Sequence, residues 1–264
     1  LLGFGIACSA LTTVAAQVLS ALLCAQYIYR NIPLLQLKYS DLKLHPALLK
    51  TTLRYGSVTA LQQACQPIGK LLIQGCVNTL GVDVMAAYNA VARIDDFAFT
   101  PQQSIAQGIT TFTAQNQGAK KPERIICGFY SGLKLEFFYW ILICICTLLL
   151  HEPVLRLFTE NTQTQMIVHL GSRYLSVMAF FYLLPAFTNG IQGFFRGIGN
   201  MRITLISTFI QTSLRVIFTF LLLPRFGIQG IPFACAVGWT FMLLYEVPRY
   251  LSAKKQILSL NLNK

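Results

Sequence analysis

Residues 125–150 read IICGFYSGLKLEFFYWILICICTLLL, with Lys134 and Glu136 as their only charged side chains. A helix of about 20 apolar residues spans the hydrocarbon core of a bilayer. This stretch is long enough for that and too apolar to face water, so it reads as a membrane span. Working outward from it, six more stretches have the same character: 1–29, 55–79, 84–112, 165–195, 203–223 and 229–249. Only helices and closed barrels satisfy backbone hydrogen bonds in lipid. None of these stretches alternates strictly between apolar and polar residues, so a barrel is excluded. The expected fold class is all-α: a polytopic membrane helix bundle.

Composition agrees. Hydrophobic residues make up 55% and charged residues 11% of the chain, and mean hydropathy is +0.57. Soluble domains carry about 25% charged residues. The net charge of +12 would suggest nucleic acid in a soluble protein. Here the basic residues lie between apolar stretches, with no basic stripe interleaved with exposed aromatics, so nucleic acid is excluded as a partner and membrane lipid is expected instead. The eight cysteines form no C-x-x-C pair, and His45, His151 and His169 are scattered. No metal site or catalytic triad is legible, Gly193, Gly197 and Gly199 make no phosphate loop, and an enzyme is not expected.

The connectors set the topology. Alternate connectors carry fourteen basic residues, among them Arg30, Lys50, Lys120, Lys121, Arg202, Arg249 and Lys255, while the intervening ones carry only Arg156 and Arg225. The positive-inside rule makes the rich set cytoplasmic. Seven spans then start outside and end with a cytoplasmic C-terminus. Residues 30–54, punctuated by Pro33 and Pro46, read as a cytoplasmic linker with a short surface helix, and 250–264 as a cytoplasmic tail. The opening Leu1-Leu2-Gly3 suggests a helix already under way, as in a fragment of a longer protein. A faint internal repeat, Gly5-Ile6-Ala7 against Gly227-Ile228-Gln229, is equally explained by convergent small-residue packing.

Ionisable groups deep in a membrane mark functional sites. Lys70 lies within the second span, and Arg93, Asp95 and Asp96 within the third. Counted from the turn near Gly81, Lys70 and Asp95 differ in depth by about 5 Å. A pair across this hairpin is expected, with the two aspartates unranked; it serves either a polar pathway or helix packing. Arg215 and Arg173 could face a wet cavity or snorkel. Glu136, with Lys134, is expected at the interface, and Glu246 is expected to be wet. Gln62, Gln66, Gln74 and Asn78 on one helix and Gln102, Gln103 and Gln107 on the next could glue helices or line a cargo cavity, with Phe97, Phe99, Tyr182 and Phe187 as apolar walls. Pro67, Pro101 and Pro185 each interrupt a span. The pathway candidates are therefore Gln62, Gln66, Lys70, Asn78, Asp95, Asp96, Gln103, Tyr182 and Arg215.

Several stretches resemble the multidrug and toxin extrusion (MATE) family, in its bacterial DNA-damage-inducible (DinF-type) branch. They are YGSVTALQQACQPIGKLLIQGCVNTLG at 55–81, AAYNAVARIDDF at 86–97, TFTAQNQGAKKPERI at 111–125, FFRGIGN at 194–200 and LPRFGIQGI at 223–231. The resemblance implies twelve helices in two lobes: residues 1–29 as the last helix of an N-terminal lobe, 30–54 as the inter-lobe linker and 55–249 as the six-helix C-terminal lobe. It implies antiport of amphiphilic or cationic drugs against H+ or Na+ by alternating access, in a bacterial inner membrane, with no cofactor, and with an N-terminal lobe of the same polypeptide as partner. The branch's coupling aspartate would lie in that lobe. A cation-binding glutamate of another branch would fall near Gln66 and Pro67, so that site looks absent. Two rival readings stay open: a lipid-linked saccharide flippase of the same superfamily, to which Arg93, Arg173 and Arg215 would lend a basic cavity, and a membrane-embedded subunit or enzyme.

Overall fold

In the computed structural model, residues 6–33, 43, 45–157 and 164–262 are described. Most of the expected linker, and position 160 of the expected external loop, lie outside them. The described residues form α1 (Ile6–Asn31), α2 (Pro46–Asn78), α3 (Val82–Gly118), α4 (Pro122–Leu157), α5 (Thr164–Phe181), α6 (Leu183–Gly197), α7 (Met201–Phe226) and α8 (Gly230–Leu262). The chain divides into two compact units, Leu1–Thr52 and Leu53–Lys264. In the first, α1 exposes Leu11, Val14, Val18 and Leu22, as a lipid-facing helix does.

Length and composition alone select Ala10–Asn31, Pro122–Arg156 and the stretch Met201–Ser259, which contains α7 and α8, as able to cross a membrane. The pair α5–α6 joins them as one broken span, bent by 46°. Neither α2 nor α3 is selected; these two long helices carry Lys70, Arg93, Asp95, Asp96 and the glutamines. The protein is a helical membrane bundle, and α7 carries more of its buried polar side chains than α2 and α3 together.

Two of the three prolines expected to interrupt spans do not. Helices α2 and α3 continue through Pro67 and Pro101. The break falls at Tyr182, three residues before Pro185, whose ring lacks an N–H for the carbonyl four residues back. Gln102 supports the break from α3 by donating to the Tyr182 carbonyl at 3.2 Å. The turn between α2 and α3 rests on Gly81, at φ +100°, which a side chain would strain.

Close helix contacts establish relative directions. A Cβ added to Gly193 would lie 2.5 Å from the Ala106 carbonyl oxygen, and one added to Gly197 would lie 2.8 Å from that of Thr110. Helix α6 thus packs parallel to α3 along a small-residue ridge, the usual way for membrane helices to approach closely. Contacts between α2 and α7 also rise together in number: Gln62 bonds Thr204 and Thr208, Gln66 bonds Gln211, and Gly69 faces Thr212 and Arg215. The second and sixth of seven alternating spans must run parallel in this way.

Residues 250–262, most of the stretch expected as a cytoplasmic tail, are helical and continuous with α8. Tyr250 packs on Phe129 and Phe194, with ring centroids 4.4 Å and 5.0 Å away, and Lys254 donates to the Tyr130 hydroxyl at 3.0 Å. Aromatic packing of this kind adds about 0.5–1.5 kcal/mol per pair beyond burial, which holds the last turns of α8 to α4 and α6.

Candidate functional site

Within the second unit, α2, α3, α6, α7 and α8 surround a cavity of about 380 Å³. Each of four helices turns a polar stripe toward it: Gln62, Gln66 and Lys70 on α2; Asp96, Thr100, Gln103 and Gln107 on α3; Thr188, Gln192 and Arg196 on α6; Thr208, Gln211 and Arg215 on α7. Spacings of three and four residues put each set on one helix face. Phe99, Trp239 and Met242 supply apolar wall.

A hydrogen-bonded seam ties α2 to α6 and α7. The Gln62 amide donates to Thr208 Oγ1 at 3.1 Å and to Gln192 Oε1 at 3.4 Å, and accepts from Thr204 Oγ1 at 3.1 Å. Gln192 donates to Thr208 Oγ1 at 3.0 Å. Gln66 donates to Gln211 Oε1 at 3.2 Å. The glutamines thus both glue helices and line the cavity.

The structure ranks the two aspartates. Lys70 Nζ lies 2.8 Å from Asp96 Oδ1, with both side chains more than half exposed and both among the residues that line the cavity. Asp95 turns away into the packing, where it accepts hydrogen bonds from the Tyr182 hydroxyl and, at 3.3 Å, from the Tyr174 hydroxyl. One residue of helix turns the side chain by about 100°, which is why adjacent aspartates meet different partners.

Other sequence-stretch expectations divide. Gln103 and Arg215 line the cavity, while Asn78 does not: it is exposed near the end of α2 and accepts from Gln74 at 2.8 Å. Tyr182 is fully buried behind the lining, as a partner of Asp95 rather than a cargo wall. Phe97 is 81% exposed and lies with Arg93 in a separate groove against α4. Phe187 is half-buried and does not reach the cavity lining. Arg173 is exposed, with its Nε 2.7 Å from the Gln229 side-chain amide. Of the three arginines weighed for a basic cavity, only Arg215 is in it.

Two carboxylates are misplaced by the sequence reading. Glu246 and Glu136 are both 0% exposed, and the Glu136 carboxylate has no hydrogen-bond partner. Glu246 was expected near a helix end, but α8 runs on to Leu262, leaving Glu246 deep in the packing near Gln192, Ser207 and Arg196. Glu136 points inward from α4 while Lys134 points out, as residues two apart on a helix do. The sequence reading also missed Gln192, Arg196, Thr208 and Gln211. A search for polar stripes at helical spacing inside apolar spans would have found Gln192, Thr208 and Gln211, whereas Arg196 lies one residue beyond its span.

The sequence profile of the MatE family matches residues 59–221, which include most of the cavity's lining residues. A probable multidrug resistance protein NorM of Thermotoga maritima is 25% identical over 162 residues, covering 61% of this chain and 34% of the relative. A probable multidrug resistance protein YoeA of Bacillus subtilis is 26% identical over 263 residues, covering 96% of this chain and 56% of the relative. The chain therefore spans about a third to just over a half of these relatives. Among solved structures, an outward-facing multidrug resistance MATE transporter of the MOP superfamily superposes with a TM-score of 0.87 at 21% identity, over 97% of this chain and 58% of that one. An inward-facing one gives 0.73 at 22% identity, over 98% and 60%. Profile, relatives and fold agree: the chain belongs to the MatE family.

Proposed function

We propose that this chain carries the C-terminal lobe, and the last helix of the N-terminal lobe, of a secondary active exporter that moves amphiphilic small molecules out of a bacterial cell by alternating access, driven by H+ or Na+. The observation that carries this reading is the polar cavity inside an otherwise apolar bundle, on helices that belong to a transporter family. Alternating access needs a second lobe to rock against this one, a part that the family resemblance would give to an N-terminal lobe of the same polypeptide. The exposed Lys70–Asp96 pair is the charge element such rocking would make and break. A gradient-driven cycle predicts that full-length protein in liposomes expels an amphiphilic dye only under an imposed proton or sodium gradient. Release at the same rate without a gradient would contradict it.

The basic connectors give this reading an orientation. Single cysteines at positions 120 and 255, in a cysteine-free full-length background, should label only from the cytoplasmic side, and one at 160 only from outside. Labelling of position 160 from the cytoplasm alone would overturn the seven-span topology.

A further inference from the structure

Arg215 sits in the middle of α7 and is only 8% exposed. Long cations in membrane helices ordinarily snorkel toward the interface. Arg215 is held instead between two glycines on flanking helices. A Cβ on Gly69 of α2 would lie 2.9 Å from Arg215 Nη2, and a Cβ on Gly238 of α8 would lie 3.5 Å from Arg215 Cβ. Any larger residue at Gly69 would push the guanidinium aside. Despite this close housing, Arg215 Nε and Nη2 have no hydrogen-bond partner. A guanidinium presents five donors in a fixed fork; the Cys235 side chain answers part of this one, and leaving Nε and Nη2 unmet in a buried position is costly.

The acids nearby do not answer it. Asp96 is taken by Lys70, and Asp95 by Tyr174 and Tyr182. The cavity lining holds Lys70, Arg196 and Arg215 against the single acid Asp96. Arg196 Nε is also buried without a partner. Glu246, behind the lining, is near enough to Arg196 to attract its charge, but it is not among the residues that line the cavity.

From this we infer that Arg215, helped by Arg196, anchors the anionic group of the cargo, so that the site takes an amphiphile bearing a carboxylate or phosphate. The planar fork suits either group. The apolar part would rest on Phe99, Trp239 and Met242. This assigns a cargo class to the exporter site proposed above and rests on that reading. It departs from the cationic cargo that the family resemblance implies.

The test uses full-length protein in detergent and a matched pair of probes: a dansylated fatty acid and its uncharged methyl ester. Wild type should bind the acid about tenfold or more tightly than the ester, as expected for charge-assisted hydrogen bonds to a buried guanidinium. Arg215→Gln should bring the two to parity, and Arg215→Lys should keep part of the preference, since it retains charge without the fork. If Arg215→Gln does not fold, Arg196→Gln carries the test: acid binding should weaken severalfold with ester binding unchanged. Competition by short-chain phosphatidic acid but not by the matching phosphatidylcholine would identify a lipid headgroup as the source of the anion; competition by free fatty acid alone would identify a soluble amphiphile. Equal binding of acid and ester by wild type, or an acid preference unchanged in the arginine variants, would overturn the inference. Acid preference without gradient-driven efflux would instead sink the exporter reading and leave the anion site standing.

Discussion

Gly193→Val is expected to cripple the protein. An added Cβ would lie 2.5 Å from the Ala106 carbonyl oxygen and 3.3 Å from Ile109 Cβ. The nearer atom is backbone, so α3 and α6 must move apart. Overpacking of this kind costs about 1–3 kcal/mol or more, and the α3–α6 contact also supports the break at Tyr182 through Gln102. Full-length Gly193→Val should lose at least about 2 kcal/mol in denaturant titration and most of its folded yield. Gly108→Ala is the control, because nothing lies within 4 Å of its Cβ position. It should be neutral or slightly stabilising, by up to about 1 kcal/mol. Equal stability of Gly193→Val and wild type would show that the helices do not meet at that ridge.

The second large effect belongs to Lys70 and Asp96. Removing one member of a charge pair leaves the other without a partner in a membrane-embedded cavity. Lys70→Met should therefore reduce gradient-driven efflux strongly, and Asp96→Asn in the same protein should restore part of it. Asp95→Asn should not rescue, because Asp95 accepts from two tyrosines and does not contact Lys70. Interaction energies for contacting pairs run to about 0.5–3 kcal/mol, or roughly two- to 150-fold in rate. Strict additivity of Lys70→Met with Asp96→Asn, or rescue by Asp95→Asn alone, would remove the pair from the mechanism.

These cases show what the sequence made legible and what it withheld. Apolar length makes α1, α4, α7, α8 and the broken α5–α6 span legible, because it is a property of contiguous segments, whereas α2 and α3 fall short of it. The Lys70 hairpin partner was visible as a depth match, but choosing Asp96 over Asp95 requires the rotation of α3 about its axis. The fate of Glu246 depended on where α8 ends, and neither Pro248 nor the basic Arg249 stops it: the aromatic cluster around Tyr250 rewards continuation. Arg196 reads as a loop cation by its place near a helix end, yet its side chain lines the cavity. Phe97 and Phe99 are two residues apart on one helix, and so face different pockets. In each miss, a face or an end of a helix was set by packing against another helix distant in sequence.

The central claim is that cargo passes through the polar cavity bounded by α2, α3, α6, α7 and α8. It is tested most directly by gradient-driven efflux from proteoliposomes of full-length protein carrying Gln66→Leu or Gln211→Leu. These side chains bond each other at 3.2 Å across the cavity wall, and leucine preserves their bulk. The account predicts wild-type efflux that requires the gradient, and about a tenfold or greater loss in either variant with folded yield retained, the scale expected when a cargo loses well-placed hydrogen-bonding groups. Wild-type rates in both variants would contradict it and move the pathway elsewhere in the bundle.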